Sequence, residues 1–292
     1  MTIPEARKIC RDFYDLTNPT EDDEFIFTEA LKYLIEETKN SDYMVDLGGF
    51  YYGKRQFDLA LKYYELAAEY GNRYAISDLG YIWYYGRTGQ KNYEKAFYYF
   101  DKARQMGDII AAYKVADMYK NGYYVEKDFE KYKSIIEELY PKVKDARMLE
   151  DPLPEIFTRL ARIRSDEGNV DEALRLYDIA RDFLSQRIRV NPFFGNLNIM
   201  KWMIEDIYKL REFDPEFMEL YDLYYVFRGP AKVMFTFEGK EHEVESTKEG
   251  GGIVVRFDDK WFRNVDDFFN KAELDGELIT MRYEELSDFE VL

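Results

Sequence analysis

The sequence has little of the chemistry on which many enzymes and metal sites depend. Its 292 residues include one cysteine, Cys10, and one histidine, His242. A single cysteine excludes an intrachain disulfide and any site with several thiolate ligands, and a single histidine excludes a histidine-rich metal site. Basic residues are also outnumbered, because 41 Lys and Arg stand against 58 Asp and Glu, for a net charge of −17. This deficit argues against sequence-independent binding to nucleic acid or to an anionic membrane surface.

Long hydrophobic runs are missing as well. The first residues lack the apolar core of a signal peptide, and no uncharged stretch approaches the roughly 20 residues that span a bilayer. We therefore expect a cytoplasmic protein with no membrane association. Aromatic residues, by contrast, are abundant: 27 Tyr, 22 Phe and 3 Trp make up 18% of the chain. With 46% hydrophobic and 34% charged residues, this composition is typical of a folded protein whose Tyr rings pack between helices.

A repeat of 36 residues occupies the middle of the chain. Residues 79–86 have a counterpart at 115–122, and residues 58–67 have one at 94–103. A further copy opens at Leu47. A period of this length is typical of helical hairpins that stack into a solenoid.

Each copy is predicted to be a pair of helices with small residues where the two helices approach each other. These small residues are Gly48, Gly80 and Ala116 in the first helices and Ala60 and Ala96 in the second. Three glycines are expected just past the ends of the first helices, where a positive φ is favoured: Gly53, Gly86 and Gly122.

At these residues the chain resembles the Sel-one-like repeat family, bacterial and eukaryotic relatives of the tetratricopeptide repeats. The family pattern is matched by Leu79, Gly80, Trp83, Gly86, Lys95, Ala96, Tyr98, Tyr99, Ala103 and Gly107, and in the third copy by Tyr119, Gly122, Val125, Asp128 and Lys131. Tyr124 and Tyr132 depart from it, since Gly and Ala are usual there, and we expect an altered turn. A fourth hairpin around Gly168 and Ala173 has the shorter tetratricopeptide turn, so the resemblance covers about residues 41–188.

The predicted fold is mostly α, a solenoid of helical hairpins over residues 1–225 followed by a small α+β domain over residues 226–292. Before the repeats we expect helices at 4–15 and 20–38, separated by a turn at 16–19 and with Thr20 capping the second helix. After the fourth hairpin we expect closing helices at 197–210 and 215–225. The last domain is predicted to contain strands at 233–237, 241–247, 253–257 and 289–292, a helix starting at Asn264 or Asp266, and a second helix at 278–286.

Four features suggest a reactive site at first sight, and each has a plainer interpretation. His242 lies between two glutamates on a predicted strand, where neighbours point to opposite faces, so we expect an exposed histidine and no metal site. Cys10 has no histidine beside it and is expected to be a structural thiol. Gly250, Gly251 and Gly252 precede a strand, which favours a hairpin connection over a phosphate loop. The acidic pairs are expected to be solvated or capping charges: Asp22-Asp23, Asp258-Asp259, Asp266-Asp267 and Glu284-Glu285.

The first helices of the repeats supply the candidate binding site, because stacked hairpins expose the outer side of each first helix on a concave wall. If Ala75, Leu79 and Trp83 form the buried side of the second copy, six residues of three copies face outward. We refer to these six as the first-helix face: Asp46, Asp78, Tyr81, Tyr85, Lys114 and Asp117. Asp and Tyr together favour a peptide or protein segment with basic and apolar residues. The alternative is that the rings pack on neighbouring helices.

Three functions stay open at this point. The resemblance implies a non-enzymatic scaffold or adaptor that binds a protein or peptide on the concave face. The acidic surface also fits an inhibitor or immunity-type protein that masks a basic effector such as a nuclease. The third is an enzyme with its site in the C-terminal domain, although no converging polar groups indicate one. We expect a protein or peptide partner, no cofactor, no metal and no catalysis, in either a monomer or a dimer.

Overall fold

The computed structural model describes residues 1–16 and 18–292, without the side chain of Phe194. The predicted turn at 16–19 includes Thr17, which lies outside the described residues. The chain forms two compact units, Met1–Ile135 (unit 1) and Ile136–Leu292 (unit 2). The domain boundary expected at residue 225 stays a prediction.

Unit 1 is built of successive helical hairpins. Its helices are α1 (Ile3–Tyr14), α2 (Glu21–Thr38), α3 (Ser41–Gly53), α4 (Phe57–Glu69), α5 (Arg73–Tyr85), α6 (Tyr93–Gln105), α7 (Ile109–Asn121) and the first part of α8 (Phe129–Val143). Thr20 caps α2 in a reciprocal arrangement with Asp23, as predicted. The first helices of the three repeats begin at side-chain caps of one kind, a short carbonyl or carboxylate acceptor: Asn40, Asn72 and Asp108.

The small residues of the repeat lie where helices meet, which confirms their predicted role. A Cβ added to Gly80 would lie 2.5 Å from the ring of Phe100, and one added to Gly48 would lie 2.7 Å from the ring of Tyr64. Each glycine thus lets a large ring of the second helix rest directly on the backbone of the first. The resulting core consists of clusters that each draw on three consecutive helices, α1 to α3, α3 to α5 and α5 to α7.

Two of the three glycines expected to end the first helices behave as predicted. Gly86 and Gly122 follow α5 and α7 with φ of 65° and 71°. The expectation for Gly53 is wrong, because Gly53 is the last residue of α3 and has no positive φ. The left-handed residue of that connection is Arg55, with φ of 59°. The connection from α3 to α4 is shorter than the one from α5 to α6, so the chain reverses at a different position.

Unit 2 begins with a helical part. It contains the rest of α8, then α9 (Leu153–Asp166), α10 (Val170–Val190), α11 (Phe194–Leu210) and α12 (Leu223–Val226). The fourth hairpin is confirmed as α9 and α10. The closing helix predicted at 215–225 is wrong: this segment forms 3-10 turns at Pro215–Phe217 and Leu220–Asp222 before α12. Asp214 and Asp222 accept hydrogen bonds from nearby backbone N–H groups, and such bonds compete with a continuous helix.

The last part of unit 2 is a small antiparallel sheet with one helix against it. Its strands are β1 (Ala231–Phe237), β2 (Lys240–Glu249), β3 (Gly252–Phe257), β4 (Lys260–Phe262), and β7 (Leu286–Val291), in the order β4-β3-β2-β1-β7, beside a separate pair β5 (Glu273–Leu274) and β6 (Glu277–Leu278). Asn264 caps the helix α13 (Val265–Lys271). The glycines at 250–252 connect β2 to β3, as predicted.

A second predicted helix in this part, at residues 278–286, is wrong. The segment forms the end of β6, two 3-10 turns and the first residue of β7. Arg282 lies between the turns and binds Glu277, Glu285 and Glu238. These ion pairs hold the chain in a shape that local periodicity does not indicate.

Candidate functional site

The six residues of the first-helix face lie on the first helices of three successive hairpins. Asp46 is on α3, Asp78, Tyr81 and Tyr85 are on α5, and Lys114 and Asp117 are on α7. All are half-buried except Tyr85, which is 42% exposed. Spacing in the repeat makes Asp46, Asp78 and Lys114 equivalent positions of the three copies.

The structure brings Lys114 close to four tyrosine rings of α5 and α7, two of which, Tyr81 and Tyr85, belong to the first-helix face. Its Nζ lies 5.0 Å from the ring centre of Tyr81, 5.4 Å from that of Tyr113, 5.6 Å from that of Tyr84 and 5.7 Å from that of Tyr85. The rings of Tyr81 and Tyr85 stack with centres 6.0 Å apart. A lysine ammonium is attracted to the faces of aromatic rings, so the protein supplies its own cation to this cluster.

The open question about the tyrosine rings is answered in part by the contacts of Tyr81. Its ring meets Phe100 of α6 edge to face at 5.3 Å, and its hydroxyl lies 3.3 Å from that of Tyr113. Tyr81 therefore packs on a neighbouring helix while it also lines the face. Its role in binding a partner stays a prediction.

Asp78 is the most perturbed carboxyl group of the face. Burial, and then the charge of Asp108, raise its pKa from 3.8 to about 7, while a hydrogen bond from the Tyr64 hydroxyl acts in the opposite direction. Asp108 is itself fixed, because it caps α7 by accepting from the N–H of Ala111 at 2.7 Å. A carboxyl with a pKa near neutrality changes charge in the range where a partner would bind.

Asp46 is coupled electrostatically to residues of α1 and α3 and not to the tyrosine cluster around Lys114. Burial and the charge of Asp42 raise its pKa. Burial and then the charge of Asp46 raise the pKa of Cys10 to about 11 and contribute to raising that of Tyr14 to about 12. Cys10 is 8% exposed and protonated at neutral pH, which confirms the prediction of a structural thiol.

The expectation of an exposed His242 is wrong. Its ring stacks on Phe235 with centres 5.4 Å apart, and its Nδ1 lies 3.0 Å from Asp258 Oδ2. The side chain is only 17% exposed. The apolar Val244 two residues on marks the inward side of β2, and this was the signal for the burial of His242. Within residues 1–16 and 18–292, no group of three or more His, Cys, Asp or Glu is arranged to hold a metal ion.

The acidic pairs were expected to be solvated or capping charges, and some of them instead form ion pairs. Asp23 completes the cap of α2, and Asp266 binds Lys201 at 2.9 Å. A hydrogen bond from Lys271, and further ones from Arg263, lower the pKa of Asp267 to about 2.

Sequence reasoning missed an open groove of about 810 Å³ along α6. Its rim carries Tyr98, which is 59% exposed, and Tyr124, which is 58% exposed. Tyr98 is one of the paired aromatics of the repeat pattern, and the pattern does not indicate an exposed ring. Tyr124 keeps a φ of 67°, the left-handed conformation that Gly usually adopts at this position, and its departure from the pattern was the available signal.

Comparisons with known proteins agree with this architecture. The Sel1 repeat model matches residues 41–72, 73–108 and 109–131. The chain is similar to the crystal structure of a Sel1 repeat protein from Oxalobacter formigenes, with a TM-score of 0.51 and 23% identity over 68% of this chain and 76% of that one. No curated protein matches the chain. The matched residues end at 131, so the resemblance expected up to residue 188 stays a prediction there.

Two further solved structures are similar at lower scores. One is a protective antigen of uropathogenic Escherichia coli with an SLR fold, at a TM-score of 0.43 and 18% identity over 78% of this chain and 53% of that one. The other is yeast Tom70, at a TM-score of 0.38 and 18% identity over 71% of this chain and 48% of that one. Across the described part of the chain, no helix has both the length and the apolar character that a membrane crossing requires.

Proposed function

We propose that the chain is a non-enzymatic protein-interaction scaffold, because residues 41–131 match three copies of the Sel1 repeat model. In this proposal the first-helix face binds a peptide or protein segment that carries basic and apolar residues. Repeats of this kind generally mediate contacts between proteins, and stacked hairpins present a continuous surface for that purpose.

The proposal depends chiefly on two half-buried carboxyl groups, Asp46 and Asp78. Neither forms an ion pair with any residue that the structure describes, and burial raises the pKa of both. A carboxylate held away from water without a counter-charge costs the folded protein free energy. A Lys or Arg side chain of a partner offsets that cost, so each position favours a basic residue in the ligand.

At one repeat position of the first-helix face, the charge changes from negative to positive in the third repeat. At the position equivalent to Asp46 and Asp78 it carries Lys114, whose ammonium lies over the tyrosine rings. A second cation at this end would be repelled. We therefore expect the ligand to place basic residues near α3 and α5 and an acidic or aromatic residue near α7.

Selection of random peptides displayed on phage against the full chain tests this proposal. We expect selected peptides of about twelve residues to be rich in Arg and Lys at one end. Binding of a synthetic copy, measured by fluorescence anisotropy, should weaken more than about tenfold for Asp46→Asn/Asp78→Asn, since hydrogen bonds to charged groups contribute about 1.5–3 kcal/mol each. Asn keeps the shape and removes only the charge.

A matched control is Glu65→Gln/Glu69→Gln, which removes the same charge from two exposed positions of α4. This variant should change affinity less than about twofold, because exposed charges are screened by solvent. Selected peptides without an excess of basic residues, or an equal loss of affinity in both double variants, would contradict the proposal.

A second candidate function is favoured by the net charge of −17. An inhibitor that masks a folded basic effector would bind tightly, with an association rate that falls steeply as salt is added. A short peptide bound by the scaffold would show a weaker affinity, because binding must also order the peptide. Association rates at low and high salt therefore separate the two functions.

A further inference from the structure

Unit 2 contains a cavity of about 380 Å³ that the proposed function does not use. It lies between α10, the 3-10 turns after α11, and β7. Ligand sites for small groups commonly have volumes of 300–1,000 Å³, so this one accommodates a side chain or a small molecule.

The charges around this cavity are predominantly negative. Four carboxylates line it, and two of these are already held by arginines: Glu219 by Arg181 at 2.8 Å and Glu284 by Arg189. The other two, Asp182 and Asp288, are exposed and form no ion pair among the residues that the structure describes. The cavity therefore has an excess of negative charge that a cation would neutralise.

A polar group of α10 also lines the cavity. Ser185 is only 4% exposed, and no described residue hydrogen-bonds to its hydroxyl. The hydroxyl is not one of the fully buried polar atoms that lack a partner, so it opens onto solvent at the cavity wall. A ligand N–H group in the cavity can replace that solvent and donate to the hydroxyl. This observation is independent of the carboxylates.

The remaining walls suit the stem of an organic cation. Met218 and Leu220 are nearly fully buried and line one side, and the rings of Tyr283 and Phe289 line another. Apolar walls cover methylene groups, and aromatic rings attract the charged end. A bare metal ion would find neither oxygen ligands on all sides nor a use for the apolar walls.

The edge of the sheet runs along the same cavity. β7 is the last strand of the sheet and pairs with β1 on one side. Four consecutive residues of β7, numbers 286–289, line the cavity. The pairing with β1 shifts register between Ser287 and Glu290, and Asp288 has a φ of 53°, so this bulge breaks the alternation of side chains along β7 and lets neighbouring residues line the cavity together. An extended segment can add to such an edge.

We propose that this cavity binds an alkylguanidinium or alkylammonium group, with Asp182 and Asp288 facing the charge and Ser185 accepting a hydrogen bond. The group has two possible sources, a free amine or guanidine and the Arg or Lys side chain of an extended segment along β7. This site lies in unit 2 and is independent of the first-helix face.

Methionine-methyl NMR of the full chain tests the proposal, with Met218 as the reporter and its resonance assigned from Met218→Leu. The probes are blocked arginine amide and a blocked five-residue β-forming peptide with a central Arg. We expect both to shift the Met218 signal while the methyl signals of the protein's other methionines stay in place. Tighter binding of the peptide identifies an extended segment as the source, and equal binding identifies a free cation.

Two variants distinguish the site from diffuse attraction to an acidic protein. Asp182→Asn/Asp288→Asn should weaken binding roughly five- to tenfold, whereas Asp178→Asn/Glu290→Gln, with the same charge change on the same two elements outside the cavity, should change it less than about twofold. Ser185→Ala should weaken binding about threefold. No Met218 shift with either probe, equal weakening in both double variants, or full affinity of Ser185→Ala would overturn the proposal.

Discussion

The raised pKa of Asp78 makes unit 1 less stable as the solution becomes more alkaline. In the unfolded chain the carboxyl ionises near its ordinary value of 3.8, and in the folded protein it ionises near 7. The folded state therefore binds more protons than the unfolded state between these values, so stability falls as pH rises through that window. One pKa unit corresponds to 1.36 kcal/mol, and the full penalty is about 4 kcal/mol above pH 7. About 2.5 kcal/mol of it develops between pH 5 and pH 8.

Replacing Asp78 with Asn removes this dependence while keeping an acceptor for the Tyr64 hydroxyl. We expect Asp78→Asn to be more stable than the parent, by a margin that grows by about 2.5 kcal/mol from pH 5 to pH 8. The assay is urea unfolding followed by the fluorescence of Trp83 in unit 1. Parent and variant both carry Trp202→Phe and Trp261→Phe, which replace two exposed tryptophans of unit 2.

The comparison between parent and variant cancels the repulsion among the protein's many other carboxylates. As a control, Glu69→Gln removes an exposed charge from α4 and should leave the pH dependence of the parent unchanged. A stability margin for Asp78→Asn that is the same at pH 5 and pH 8 would refute the reasoning. It would mean that the carboxyl reaches water or a counter-ion in solution.

Two further predictions concern packing and buried charge. Gly80→Ala should lower the unfolding free energy by about 1–3 kcal/mol, because the added Cβ would overlap the ring of Phe100 on α6. Gly49→Ala should raise the unfolding free energy by about 0.5–1 kcal/mol, because the nearest atom to its added Cβ is 3.8 Å away. Thermal unfolding followed by circular dichroism measures both changes. Arg181→Ala should lower the free energy of urea unfolding by about 3–5 kcal/mol, because it leaves the fully buried Asp222 without its cation. Arg175→Ala breaks an exposed ion pair with Glu172 and should lower the same free energy by less than about 1 kcal/mol. Destabilisation by Gly49→Ala, or equal losses for the two arginine variants, would contradict these expectations.

The repeat was predictable because its signals are local. Caps, small residues and the 36-residue spacing each act within one hairpin, and α3 to α7 follow them closely. Gly53 shows the limit of this reasoning. Its sequence context copies that of Gly86, yet the connection after it is shorter, and the left-handed position moves to Arg55.

The two predicted helices that are absent failed for a different reason. Asp222 forms an ion pair with Arg181, which is 41 residues away in sequence, and Arg282 forms one with Glu238, which is 44 residues away. Ion pairs over such separations fix the backbone of the turns around them. No window of local periodicity contains that information.

The sequence predicted which helices carry the six residues of the first-helix face, but it did not predict the contacts and the ionisation of their side chains. The phase of the repeat placed Asp46, Asp78 and Lys114 on equivalent helices. The contact of Lys114 with four rings and the perturbed ionisation of Asp78 depend on side chains that only folding brings near, among them Asp108. The role of these residues in binding remains to be tested by the peptide selection.

The serial core of unit 1 determines how this part of the protein opens. Each hydrophobic cluster joins three consecutive helices, and α3 and α5 each contribute to two clusters. The unfolding of one hairpin is therefore coupled most strongly to the hairpins that share a hydrophobic cluster with it. A defect such as an alanine at Gly80 weakens one junction, so hydrogen exchange would accelerate first in the hairpins on either side of it and last in the hairpin farthest from it.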